Sequence, residues 1–144
     1  VYSSFKTMKE LETAVLSKIK EMLLTYARKE RTENSFLNMG IGITIFAREN
    51  PNLYRVIFLE RDDFKAMIRE FGDRLREDLG SNPRFSSLDS NTRNRLLQKM
   101  WIFTHGLASQ ICTGILIDDS DAFIESILKE TGAAIIQQTL SESK

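Results

Sequence analysis

The sequence predicts an all-α fold, a helical bundle of about six helices, on three observations. Apolar residues recur at three- and four-residue steps through most of the 144-residue chain. Cap-forming and helix-breaking residues fall at helix-length intervals. The one segment that would pass for a strand, Ile41-Gly42-Ile43-Thr44-Ile45-Phe46, has no second strand to satisfy its backbone.

The elements follow in order. Thr7 and Glu10 have capping-box spacing, the hydroxyl accepting from the third helical amide and the carboxylate returning to the cap's own N–H. They open a helix to about Lys29 with the stripe Leu11, Val15, Ile19, Met22 and Tyr26. After a polar break, residues 34–48 are apolar nearly all round, which predicts a central buried helix; Gly40 and Gly42 allow close approach there or mark a kink. Asn50-Pro51 restarts the chain as a cap and a first-turn proline, with a short helix through Leu59. Asp62 or Asp63 caps the next helix, striped with Phe64, Met67, Ile68, Phe71, Leu75 and Leu79, and Gly80 is expected as its left-handed stop. Residues 81–90, with Pro83, form the main loop. A long helix is expected from Ser90 to Ile117, then a last one from Asp121 to Leu140, capped by the Asp118-Asp119-Ser120 break.

Composition sets limits on function. The 20 basic and 20 acidic residues cancel, which argues against this stretch binding nucleic acid by itself. A single cysteine, Cys112, excludes an internal disulfide and fits a reducing compartment. The longest apolar run, Phe36 to Ala47, is too short to span a bilayer, and the start lacks a signal-peptide layout. A soluble cytoplasmic protein is the expectation. No nucleophile elbow or phosphate-cradling glycine loop occurs, so no enzyme activity and no cofactor are expected. The lone histidine, His105, excludes a His-rich metal site. Asp118, Asp119 and Asp121 are read as helix caps rather than metal ligands.

Three motifs point to a family. The opening Val1-Tyr2-Ser3-Ser4-Phe5-Lys6-Thr7-Met8-Lys9-Glu10-Leu11, the Asn50-Pro51 restart and Trp101-x-x-x-His105-Gly106-Leu107-Ala108 occur in an order that resembles TetR-family (tetracycline-repressor-like) transcription regulators. The likeness covers essentially the whole chain and is sharp at residues 1–11, 50–58 and 101–108. It implies a DNA-binding, helix-turn-helix repressor whose head is represented only by residues 1–6, with residues 7–144 as the effector-binding and dimerisation body. DNA would be met through the missing head. The family's usual lysine falls at Met8, so the resemblance implies phosphate contact by Tyr2 with Lys6 or Lys9 as substitute cations. The alternative is that Tyr2 and Phe5 pack head against body.

The resemblance also implies a small apolar or amphipathic effector. Trp101 and His105 share a helix face and, with Tyr54 and Thr104, would border its pocket; Phe46, Phe58, Met67, Phe71 and Met100 would wall it. Each is also readable as ordinary core, which is the better reading at any single position. The last two helices are expected to pair with those of a second copy as a four-helix homodimer interface, Ile111, Ile115, Ile124, Ile127 and Leu128 filling the seam beside small residues such as Gly106 and Ala134. The competing reading is a helical protein–protein interaction domain without a small-molecule ligand.

Overall fold

The computed structural model describes residues 6–60 and 62–142. These form an all-helical bundle of six α-helices: α1 (Met8–Arg28), α2 (Ser35–Glu49), α3 (Pro51–Arg55), α4 (Lys65–Ser81), α5 (Ser90–Cys112) and α6 (Asp121–Glu142). A π-helical turn, Val56–Glu60, and a 3-10 turn, Asp62–Phe64, join α3 to α4. Among the described residues no strand occurs, and no helix is long and apolar enough to cross a membrane.

The centre is α2. Every residue from Phe36 to Ala47 is buried, and the helix packs against α1, α3, α5 and α6. Its β-branched run is helical because the surroundings bury it on all sides. Gly42 makes this possible. A Cβ there would lie 2.0 Å from the Tyr26 carbonyl oxygen and 2.8 Å from the Ala27 Cα, so two backbones cross where no side chain fits. The chain enters α2 through a dense polar clamp. Asn34 Oδ1 accepts from the amides of Phe36 and Leu37, at 3.1 and 3.2 Å. Buried Asn38 accepts from the Thr32 amide and hydroxyl and donates to the Thr32 carbonyl. With both amide groups engaged, a polar side chain is tolerated in the core.

Several boundaries differ from the sequence expectation. The Thr7 hydroxyl accepts from the Glu10 amide at 3.0 Å, but the Glu10 carboxylate accepts from the Lys6 amide, one residue before the cap. Asn50 makes no side-chain cap. Its amide donates to the Tyr26 hydroxyl and the Phe46 carbonyl, holding α3 to the end of α2. Gly80 lies inside α4 with no positive φ; the helix ends one residue later, at Ser81, because Asn82 precedes Pro83 and is driven to extended backbone, φ −74° and ψ 122°. α5 stops at Cys112, five residues before Ile117. Gly114, at φ +78°, forms a Schellman cap: its amide donates to the Ile111 carbonyl and the Ile115 amide to that of Gln110. The cap opening α6 follows expectation, with Ser120 Oγ accepting from the Phe123 amide and Asp118 accepting from Ser120.

Two antiparallel pairings set the functional surfaces. Arg76 on α4 donates to Asn94 on α5 at 3.0 Å, and Phe71 lies beside Trp101 further along, so α4 runs against α5. Lys99 reaches Gln138 and Thr139, and Arg95 reaches Glu142, so α5 and α6 form a hairpin. α1 is tied to α4 by the two-toothed Arg28–Asp78 pair, at 2.9 and 3.1 Å, and by Lys20–Glu70.

Candidate functional site

One aromatic cluster gathers residues from four segments. Tyr54 comes from α3, Phe58 from the π turn, Phe71 from α4, and Trp101 and His105 from α5. Ring centroids lie 4.3 Å apart for Trp101 and His105, 4.7 Å for Phe58 and His105, 4.9 Å for Tyr54 and Phe58, and 6.0 Å for Phe71 and Trp101. The four-residue spacing of Trp101 and His105 makes them neighbours on one helix face. The π turn widens the backbone where Phe58 enters.

Tyr54 holds His105. Its hydroxyl lies 2.7 Å from His105 Nδ1 and 3.4 Å from the His105 carbonyl. Burial pushes the Tyr54 phenol well above its ordinary range, so it stays protonated. The other ring nitrogen, His105 Nε2, is shielded from solvent and has no hydrogen-bond partner. Whichever tautomer the ring adopts, Nε2 carries an unmet donor or acceptor. Burial lowers the imidazole pKa to about 4, so the ring is neutral at pH 7. An orphan polar atom inside a ring of aromatics is a costly arrangement.

The pocket residues expected from the sequence fall in and around this cluster. Phe46, Tyr54, Met67, Phe71, Met100 and Thr104 are buried, while Phe58, Trp101 and His105 are partly buried. Phe46 packs edge-on against Tyr26, at 5.4 Å between centroids, away from the other rings. Met100, Trp101 and Thr104 border a cavity between α2, α4 and α5, but its volume is about 20 Å³, room for one water and no organic ligand. A larger space lies outside the core. An open groove of about 860 Å³ runs between α4 and α5, with Trp101 as one wall. Trp101 therefore stands between that groove and the interior cavity. The groove is not legible in the sequence, where Arg69, Asp73, Arg76 and Arg95 look like ordinary solvated charges and Ile68 and Leu97 like core stripe.

Tyr2 lies outside the described residues. Lys6 and Lys9 are exposed at the start of α1, and Phe5 is outside the described residues. Ile111, Ile124 and Leu128 are buried inside the chain's own core, Ile124 and Leu128 completely, so they do not face outward. Ile127 is partly buried, and Ile115 is 72% exposed but sits beyond the end of α5. Ile102, on the outer side of α5, is 67% exposed and was not among the expected seam residues. Burial of Ile124 and Leu128 has a simple cause: α6 uses the Ile124–Leu128–Ile136 stripe to cover α2 and α5.

Cys112 is buried and its thiol points at the Pro51 carbonyl at 3.1 Å. Among the described residues no group of three or more His, Cys, Asp or Glu side chains converges as a metal site. Asp118 accepts from Ser120, which holds its carboxyl below the usual range, and Asp121 pairs with Arg48 at 2.7 Å. Compared with known proteins, the chain matches no family model, no curated protein and no solved structure.

Proposed function

We propose that this chain is the effector-binding and dimerising body of a TetR-type transcription regulator, acting on DNA through a helix-turn-helix head ahead of α1. The observation that carries the reading is the helix order around Trp101 and His105. The motif that suggested the family lies mid-α5, faces the Tyr54–Phe58 segment opened by Asn50-Pro51, and so joins two of the three motifs in one cluster. α1 supports the lever role. It begins at the Thr7 cap, crosses α2 at Gly42, and is fixed to α4 by Arg28–Asp78. A ligand that shifts α4 and α5 relative to α2 would move α1 with them, and bias the head toward one of two spacings.

The α5–α6 hairpin supports a homodimer. On α5, Ile102 is exposed and side-chain-free Gly106 lies one turn later, while Phe103 and, on α6, Phe123 and Ile127 are half-buried. Antiparallel helices with apolar residues left accessible can meet a second copy as a four-helix interface. The seam is then drawn on Ile102, Phe103 and Ile127 rather than on Ile111, Ile124 and Leu128.

The test is DNA binding by the protein with the residues its reading frame encodes ahead of Val1. Footprinting on the DNA flanking its own gene is expected to show a two-fold symmetric site, protected in two half-sites about one helical turn apart. A reading frame without a helix-turn-helix there, or no protection at any site, overturns the reading.

A further inference from the structure

We propose that the α4–α5 groove is the binding site for a small organic carboxylate with an apolar body. The inference rests on the reading that the body takes a small-molecule effector, and it names where and of what chemical kind. Three observations converge on it.

The first is a gap in the outer wall of α4. Gly72 sits mid-helix, between Ile68 and Arg76 one turn either way, and a Cβ added there would meet nothing within 4 Å. Glycine in a helix interior costs about 1 kcal/mol against alanine, and here no neighbour requires it. The missing side chain opens a notch in the wall of the groove. Gly42 shows the contrasting case, a glycine demanded by a backbone crossing.

The second is the chemistry of the lining. Ile68, Leu97 and Trp101 supply apolar surface, and Leu97 and Trp101 also border the interior cavity. Arg69, Arg76 and Arg95 line the same groove against a single carboxylate, Asp73. In a chain whose charges cancel overall, this is a local cationic excess. Arg76 is occupied by Asp73 at 2.6 Å and by Asn94, and Arg95 by Glu142 at 3.0 Å. Arg69 has no ion pair among the described residues and is the open fork for a carboxylate.

The third is the position of Trp101. Its indole separates the groove from the cluster that contains the unpartnered His105 Nε2, 4.3 Å away ring to ring. A carboxylate on Arg69 with its apolar body against Ile68, Leu97 and the Trp101 ring would press on the wall of that cluster. Binding would thus couple to the α5 core directly.

Trp101 is the single tryptophan, so its fluorescence reads the site without labels. Octanoate and phenylbutyrate, titrated into the 144-residue chain, are expected to give a saturable change in Trp101 emission, and neutral octanol to bind at least tenfold more weakly than octanoate. Arg69→Gln is expected to weaken octanoate at least tenfold while leaving octanol unchanged. Gly72→Leu is expected to abolish the response with no loss of the helical circular-dichroism signal or of melting temperature, because the added side chain enters empty space. The proposal is overturned if neither acid gives a saturable change, if octanol matches octanoate, or if Gly72→Leu still binds. The regulator reading fails separately, through a monomeric body or a missing DNA-binding head, neither of which this titration measures.

Discussion

At the residue scale, two glycines in different helices, Gly42 in α2 and Gly72 in α4, have opposite meanings, and substitution separates them. Gly42→Ala places a methyl group 2.0 Å from a carbonyl oxygen of α1, which can be relieved only by moving one backbone. We expect a loss of about 3 kcal/mol, read as a lower urea midpoint at unchanged slope. Gly72→Ala adds a methyl into open space within a helix, and stability should rise by about 0.5–1 kcal/mol. Equal effects at the two sites would contradict the α1–α2 crossing. His105 adds a pH dependence. Its imidazole takes a proton near 6.5 when unfolded but only near pH 4 when folded. Between those values the unfolded chain binds more protons, so stability falls as pH drops, by up to about 1.4 kcal/mol per unit. The loss ends below the folded pKa. Denaturation between about pH 7 and pH 5, above most carboxylate titration, should show this slope in the native sequence and not in His105→Gln. A slope retained in the variant would assign it to other groups.

At the scale of elements, most helices were legible and their ends were less so. The α2 run was readable as a helix only by elimination, since Ile41 to Phe46 has strand character and its helical form depends on neighbours far along the chain. The end of α5 was misplaced because Ile111 and Ile115 continue the apolar spacing past the true stop, and only Gly114 marks it. Gly80 was read as a stop by type, while the proline at Pro83 fixed the actual end through Asn82. Gly114→Ala tests the α5 cap. A non-glycine residue at φ +78° costs about 1–2 kcal/mol, so the variant should melt lower by that equivalent. A neutral result would mean that the cap contributes nothing to the α5–α6 turn. The site was half legible in the same way. Spacing put Trp101 and His105 on one face, but the groove depends on α4 meeting α5 antiparallel. Arg69, Gly72 and Arg95 come to line one groove only through that packing.

At the scale of the whole molecule, most apolar surface goes into one shared core, and a few large apolar side chains, Ile102 among them, stay in solvent. α2 is consumed entirely by the core, and α6 gives its Ile124–Leu128–Ile136 stripe to the same purpose. On α5, Ile102 stands in solvent beside half-buried Phe103, and on α6 Phe123 and Ile127 are half-buried further along the hairpin. Desolvating exposed apolar surface of this kind stabilises association between copies. The regulator reading requires that association, since two heads must be held at a fixed separation. Sedimentation equilibrium on the purified chain, beside Ile102→Glu, is therefore the most direct measurement. The account predicts twice the chain mass for the native sequence and the chain mass for the variant, with unchanged helical content in both. A native chain that stays monomeric at all concentrations, or a dimer indifferent to Ile102→Glu, would contradict it.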